Sequence, residues 1–184
     1  MTDHHEPPRP PTLPGGEAAR TTVRRPEGPD PMPAPDPKVI LEALAYGVAG
    51  DLQRGLDTLQ PIVDAGPHSV YALLGSLAET ASREAREANG PGTWYGIELE
   101  GPDGPENIDV LPPPVMFAAR FITAWANRDQ DAAHALFRAV AEPADRDGTD
   151  ALADCITAVY AMAVPVAQVV VEEQRRRLEE GPDE

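Results

Sequence analysis

The residues with the clearest chemical spacing are Asp131 and His134, a carboxylate and an imidazole one helical turn apart. Such a pair is half of the pattern by which facing helices hold two carboxylate-bridged metal ions. The full pattern needs a second such helix and two further inward glutamates. The sequence offers neither, since His68 falls in a connection and His4–His5 is a lone pair in a proline-rich stretch. Two histidines supply too few ligands for a closed site, so His134 is expected at a solvated edge. Cys155 lies among Leu152, Ile156 and Val159 with no cation within a turn, so nothing local lowers its pKa. It reads as a small buried hydrophobe. Ser69, Ser76 and Ser82 lack a glycine-rich nucleophile elbow, and Ser69 reads as a helix cap. The stretch Gly90–Gly96 carries glycines but follows a helix and has no Lys-Ser/Thr pair to cradle phosphate. No catalytic, cofactor-binding or metal-binding residue is assigned, and no cofactor is expected.

What remains is recognition chemistry. Trp94 and Tyr95 follow a glycine-proline turn, and strand alternation would send them to opposite faces. Aromatic side chains that combine apolar area with a donor are enriched at interfaces. Glu98 and Glu100 share a strand face with Asp109 nearby, a patch suited to a cation or a basic partner, although a solvated face is the simpler account. The candidate interface is therefore Trp94, Tyr95, Glu98, Glu100, Asp109, Phe121 and Trp125. A competing pocket, between two helical hairpins, would be lined by Tyr71, Trp94, Trp125 and Tyr160.

Two stretches that read as copies of one helical hairpin must position these residues. Val39–Thr80 and Phe117–Val159 align at a shift of 78, which places Leu44 on Ile122, Val48 on Ala126, Asp51 on Asp129 and Leu59 on Phe137. A third helix follows in each, where Leu73 and Leu77 meet Leu152 and Ile156 at a shift of 79. A helix pair cannot bury its stripe alone, so two stacked pairs sharing a core are expected. The signature Trp, Leu-Gly and Pro positions of tetratricopeptide-type repeats are missing, and no family is assigned.

The apolar spacing and breakers predict six helices. Asp36-Pro37 starts the first, Asp51 caps the second, and Gly66-Pro67 ends it. The third runs from Ser69 to Asn89, its charged end REAREAN reading as a solvated face. The fourth spans about Pro113–Asn127, with Phe117, Phe121 and Trp125 beside a stripe too wide for one neighbour to cover. Asp129 opens the fifth, which is expected to stop before Pro143, with ADRDGTD as loop. The sixth runs from Thr149 to Arg177, kinked near Pro165. Between the halves, Trp94–Glu100 and Asn107–Leu111 alternate apolar with polar and predict a β-hairpin.

The fold expected is thus mainly all-α. Residues 1–36 would be a disordered proline-rich arm, and 37–180 one helical domain. Within it, 37–90 and 113–180 are two pseudo-repeated halves and 91–112 is the inserted hairpin. Net charge is −16, which argues against a nucleic-acid partner because phosphate binding needs clustered Lys and Arg. No signal peptide is readable. The uncharged run Cys155–Val171 is short for a span and reads as a buried helix, so no membrane partner is expected. A lone cysteine fits a reducing compartment, and a cytoplasmic location is expected. The leading functional reading is a non-enzymatic protein-interaction or regulatory module. A homodimer is one form of it, and its acidic surface suits a basic protein partner. The second reading is a small-molecule-binding protein or enzyme using the pocket between the hairpins.

Overall fold

The structure, a computed structural model, describes residues 35–90, 92–101 and 104–180. The arm expected over 1–36 therefore lies, apart from Pro35 and Asp36, outside the described residues. The remainder is an all-helical bundle of six α-helices: α1 (Pro37–Val48), α2 (Leu52–Asp64), α3 (Pro67–Asn89), α4 (Pro113–Ala126), α5 (Gln130–Asp147) and α6 (Ala151–Glu180). The helix starts follow from local chemistry. Asp36, Asp51 and Asp129 each accept a backbone N–H of the first turn, from Lys38 (2.9 Å), Arg54 (3.1 Å) and Ala132 (2.9 Å).

The two halves share a turn in detail. The Ala49 N–H donates to Ala45, Gly50 to Gly47 and Asp51 to Tyr46, while 78 residues on Asn127 donates to Thr123, Arg128 to Trp125 and Asp129 to Ala124. The residue before each cap is left-handed, Gly50 at φ 87° and Arg128 at φ 61°. In the third helices, burial matches at a shift of 82 rather than 79: Leu73, Leu74, Leu77, Ala78 and Ser82 are buried, as are Cys155, Ile156, Val159, Tyr160 and Val164.

The core crosses the halves. α6 packs on α1, α3 and α4, and α4 also packs on α3 and α5. Two glycines allow the closest approach of α6. A Cβ at Gly47 would lie 2.6 Å, and one at Gly55 1.9 Å, from the Tyr160 hydroxyl, which donates to the Ala43 carbonyl at 2.6 Å. Among the described residues one helix, α6, is long and apolar enough to cross a membrane. Six of its residues between Cys155 and Val164 are instead buried in the bundle.

Three expectations are corrected. The inserted β-hairpin does not form. Residues 93–98 have no regular structure, and Ile108–Val110 is a 3-10 turn closed by the Asn107 side chain accepting from the Asp109 N–H. A side chain that bonds its own backbone offers the chain an alternative to a ladder. The pairing that does occur is three residues long on each side, Leu99–Gly101 antiparallel to Gly104–Glu106, too small to count as a layer of the fold. Secondly, α3 begins at Pro67 behind Gly66 (φ 102°), with Ser69 buried inside it rather than capping. Thirdly, α5 runs through Pro143 to Asp147. Pro143 and Ala139, whose carbonyl loses its donor, are both exposed, so water can satisfy it. The true stop is Gly148 (φ 62°), with the Thr149 N–H returning to the Ala144 carbonyl.

Candidate functional site

Helical periodicity sets one face of the last turns of α3. Glu79, Arg83, Arg86 and Gly90 recur at intervals of four, three and four, so their side positions stack along one stripe. Opposite that stripe stands the α4–α5 turn. Its left-handed residue, Arg128, donates from one guanidinium nitrogen to Glu79 Oε2 at 3.0 Å and from the other to Oε1 at 3.4 Å. Arg86 donates to the same carboxylate, and the Trp125 indole N–H does so at 3.0 Å. Gly75 makes room for that indole, because a Cβ there would sit 2.4 Å from its ring. Glu79 is thus a four-bond hub linking α3, α4 and the turn. Partial burial pushes its pKa up, but the hydrogen bonds from Arg86, Trp125 and Arg128 together outweigh this and hold it below its ordinary value.

The third wall is the segment after α3. The Asn127 side chain accepts the Tyr95 N–H at 2.8 Å and donates to the Tyr95 carbonyl at 2.9 Å, imitating a paired strand. Two residues earlier the Thr93 hydroxyl donates to the Asn89 carbonyl at 2.8 Å. Both neighbours of Trp94 are therefore tied down, yet Trp94 itself is 79% exposed. Together these walls enclose an open cleft of about 810 Å³ lined by Arg83, Arg86, Arg128, Glu87, Thr93 and Trp94, with Glu79 and Asn127 between the walls.

Glu79 is held ionised by its guanidinium partners, so it is poorly placed to donate a proton near neutrality. Glu87 is engaged by Arg83 at 2.7 Å. No group of three or more His, Cys, Asp or Glu able to hold a metal occurs among the described residues. His134 is exposed, its ring edge-on to Tyr71 at 5.4 Å. Cys155 is buried, and burial, with Asp154 adding to it, pushes its thiol up to about 11.

The residues expected at an interface are not brought together. Trp94 and Tyr95 border the cleft, and Glu98 is exposed on the segment beyond them. The Glu100 side chain lies outside the described residues. Asp109 is paired with Arg120 at 2.8 Å. Phe121 is buried, stacked between Phe117 and Trp125 with ring centroids 5.6 and 6.0 Å away. That column of rings, four residues apart on α4, meets Tyr71 of α3 edge-on. The wide apolar surface of α4 is thereby covered in part: Phe117, Ala118, Phe121 and Ala124 are buried, while Val115, Met116, Ile122 and Trp125 stay half-buried.

The alternative pocket is not assembled either. Tyr71 and Trp125 are packed at 6.2 Å, Tyr160 fills the space against Gly47 and Gly55, and of the four only Trp94 borders the cleft. Arg83, Arg86 and Arg128 escaped the reading of the sequence because REAREAN looks like any solvated helix end. The available signal was the internal alignment, in which Arg128 occupies the place of Gly50. No family model, no curated protein and no solved structure matches the chain.

Proposed function

We propose that the protein is a non-enzymatic helical module that binds another protein at the cleft between the end of α3, the segment 92–95 and the α4–α5 turn, with Trp94 as the anchor. One observation carries this reading: Trp94 is largely exposed although both its neighbours are tied down, Thr93 through its hydroxyl to Asn89 and the Tyr95 backbone to Asn127. Leaving an indole exposed forgoes roughly 2–3 kcal/mol of burial. Fixing its backbone in advance lowers the entropy a partner must remove on docking. Leu41 and Leu178 are also exposed, but as single aliphatic residues on helix faces, which soluble proteins commonly show. Tryptophan and arginine side by side are the residues that dominate binding energy at interfaces.

Of the aromatic residues that a homodimer through α4 and the preceding segment would use, Phe121 is buried and Trp125 half-buried, and Trp94 is exposed. The test is capture from a lysate of the source organism with wild-type, Trp94→Ala and Leu41→Ala proteins as bait. Proteins retained by the wild type and by Leu41→Ala, but lost with Trp94→Ala, are the expected result. An identical set on all three baits would rule the reading out.

A further inference from the structure

The cleft also selects the sign of its partner. We infer, resting on the reading above, that it takes an acidic segment of the partner protein, with the carboxylate of an Asp or Glu side chain received by Arg83, Arg86 and Arg128 while an adjoining apolar residue covers Trp94.

The charge count comes first. Among the described lining residues three guanidiniums accompany two carboxylates, Glu79 and Glu87, an excess of one positive charge in the lining itself, although Glu173 of α6 also acts on Arg83 from outside it and the whole chain carries −16. A cationic segment would meet three like charges there. Donor capacity comes second. Each guanidinium has five N–H donors. Arg128 gives two to Glu79, Arg86 gives one to Glu79 and Arg83 gives one to Glu87. Most of the donors thus have no protein acceptor among the described residues, and two of the three guanidiniums are already held in place by one carboxylate. A planar fork held in place is suited to a bidentate carboxylate.

Magnitude separates a carboxylate from a phosphate. One carboxylate neutralises a local excess of one positive charge, whereas a phosphoserine brings about −1.5 to −2 against Glu79 and Glu87 in the same lining. Arg128 is the one non-glycine residue at positive φ among the described residues, at a turn position where the first half of the chain has Gly50. A residue kept in a disfavoured conformation where glycine would be relaxed has a use for its side chain, and here the two bonds to Glu79 are that use, aiming the guanidinium along the cleft.

The experiment reads the Trp94 indole N–H by ¹H–¹⁵N correlation in the full chain, titrated with acetylated, amidated hexapeptides of alternating Leu-Glu, Leu-Gln and Leu-phosphoserine. A saturable shift with the Leu-Glu peptide is expected, weakened at least tenfold in Arg128→Gly and in Arg83→Gln, and unchanged in Arg138→Gln on the outer face of α5. Arg128→Gly is expected to fold, since the same turn in the first half is made by glycine, and its thermal midpoint checks this. Equal affinity for the Leu-Gln peptide, or no shift with any peptide up to millimolar concentration, overturns the acidic assignment. Trp94-dependent capture from the lysate would still stand in that case. Binding of the phosphoserine peptide ten times tighter than the Leu-Glu peptide assigns a phosphate site and overturns it too. So does a shift of the Trp94 signal on concentration alone, which would give the surface to a second copy of the chain.

Discussion

At the scale of single residues the bundle depends on contacts that leave no slack. The Tyr160 hydroxyl sits where a Cβ at Gly55 would be 1.9 Å away. We expect Gly55→Ala to destabilise the fold by roughly 1–3 kcal/mol through overpacking. Tyr160→Phe removes the nearest clashing atom, so the double variant should lose clearly less than the sum of the two single variants in urea unfolding. Additive losses would show that the glycine serves some other purpose. Glu79 gives a different signature. Its folded pKa is depressed by the bonds from Arg86, Trp125 and Arg128 working against partial burial. Its stabilising contribution is therefore complete above the ordinary carboxylate range and is lost as pH falls through the lowered value. Acidification below about pH 4 should perturb Trp125 fluorescence in the wild type, and the step should vanish in Glu79→Gln. A step of equal size in both proteins would place the titrating group elsewhere. Neither role was legible in the sequence. Gly47 and Gly55 look there like ordinary weak points of a helix, and Glu79 looks like one acid among 31 Asp and Glu, because Tyr160 for the glycines, and Trp125 and Arg128 for Glu79, come from distant parts of the chain.

At the scale of elements, what could be read was what local chemistry decides. Asp51 and Asp129 were identifiable as caps because an acceptor side chain before an apolar-periodic run satisfies N–H groups that the helix itself leaves open. We expect Asp51→Ala and Asp129→Ala each to cost about 0.5–2 kcal/mol. The two losses should add, since the caps share no partner. A midpoint of denaturation unchanged in either variant would show that the side-chain bond contributes nothing to that turn. The element that misled was the connection between the halves. Trp94–Glu100 and Asn107–Leu111 have the alternation of strands, but Asn107 closes its own backbone into a 3-10 turn and Asn127 takes the pairing bonds of Tyr95. Alternation records which positions are apolar; it does not record whether a side chain from another element will take the place of the neighbouring strand. Pro143 misled for the opposite reason. Its ring faces solvent, where the lost backbone bond is cheap, and the helix continues to Gly148.

At the scale of the molecule, the two halves fold into one core rather than two. Leu73, Leu74 and Leu77 of α3 are fully buried, and α3 packs on α4 and α6 of the other half. Tyr160 reaches from α6 to the Ala43 carbonyl of α1, and Trp125 reaches from α4 to Glu79 of α3. A half on its own would expose the apolar stripe of its third helix, and isolated helices of this length are marginal in water without such packing. We therefore expect the fragment 35–98 alone to show little helix by circular dichroism, and the fragment 107–180 to behave alike. Of the described residues between them, Leu99–Gly101 and Gly104–Glu106 pair with each other, so the chain can be interrupted there without breaking a contact between helices. Mixing the fragments should restore the far-ultraviolet signal of the intact chain and a single one-to-one species in sedimentation. Trp94 belongs to the first fragment and Asn127, which fixes the adjoining Tyr95, to the second, so the cleft should return only with the mixture. Full helicity in the first fragment alone would mean that the halves are independent units, and the cleft would then be an accident of how they meet.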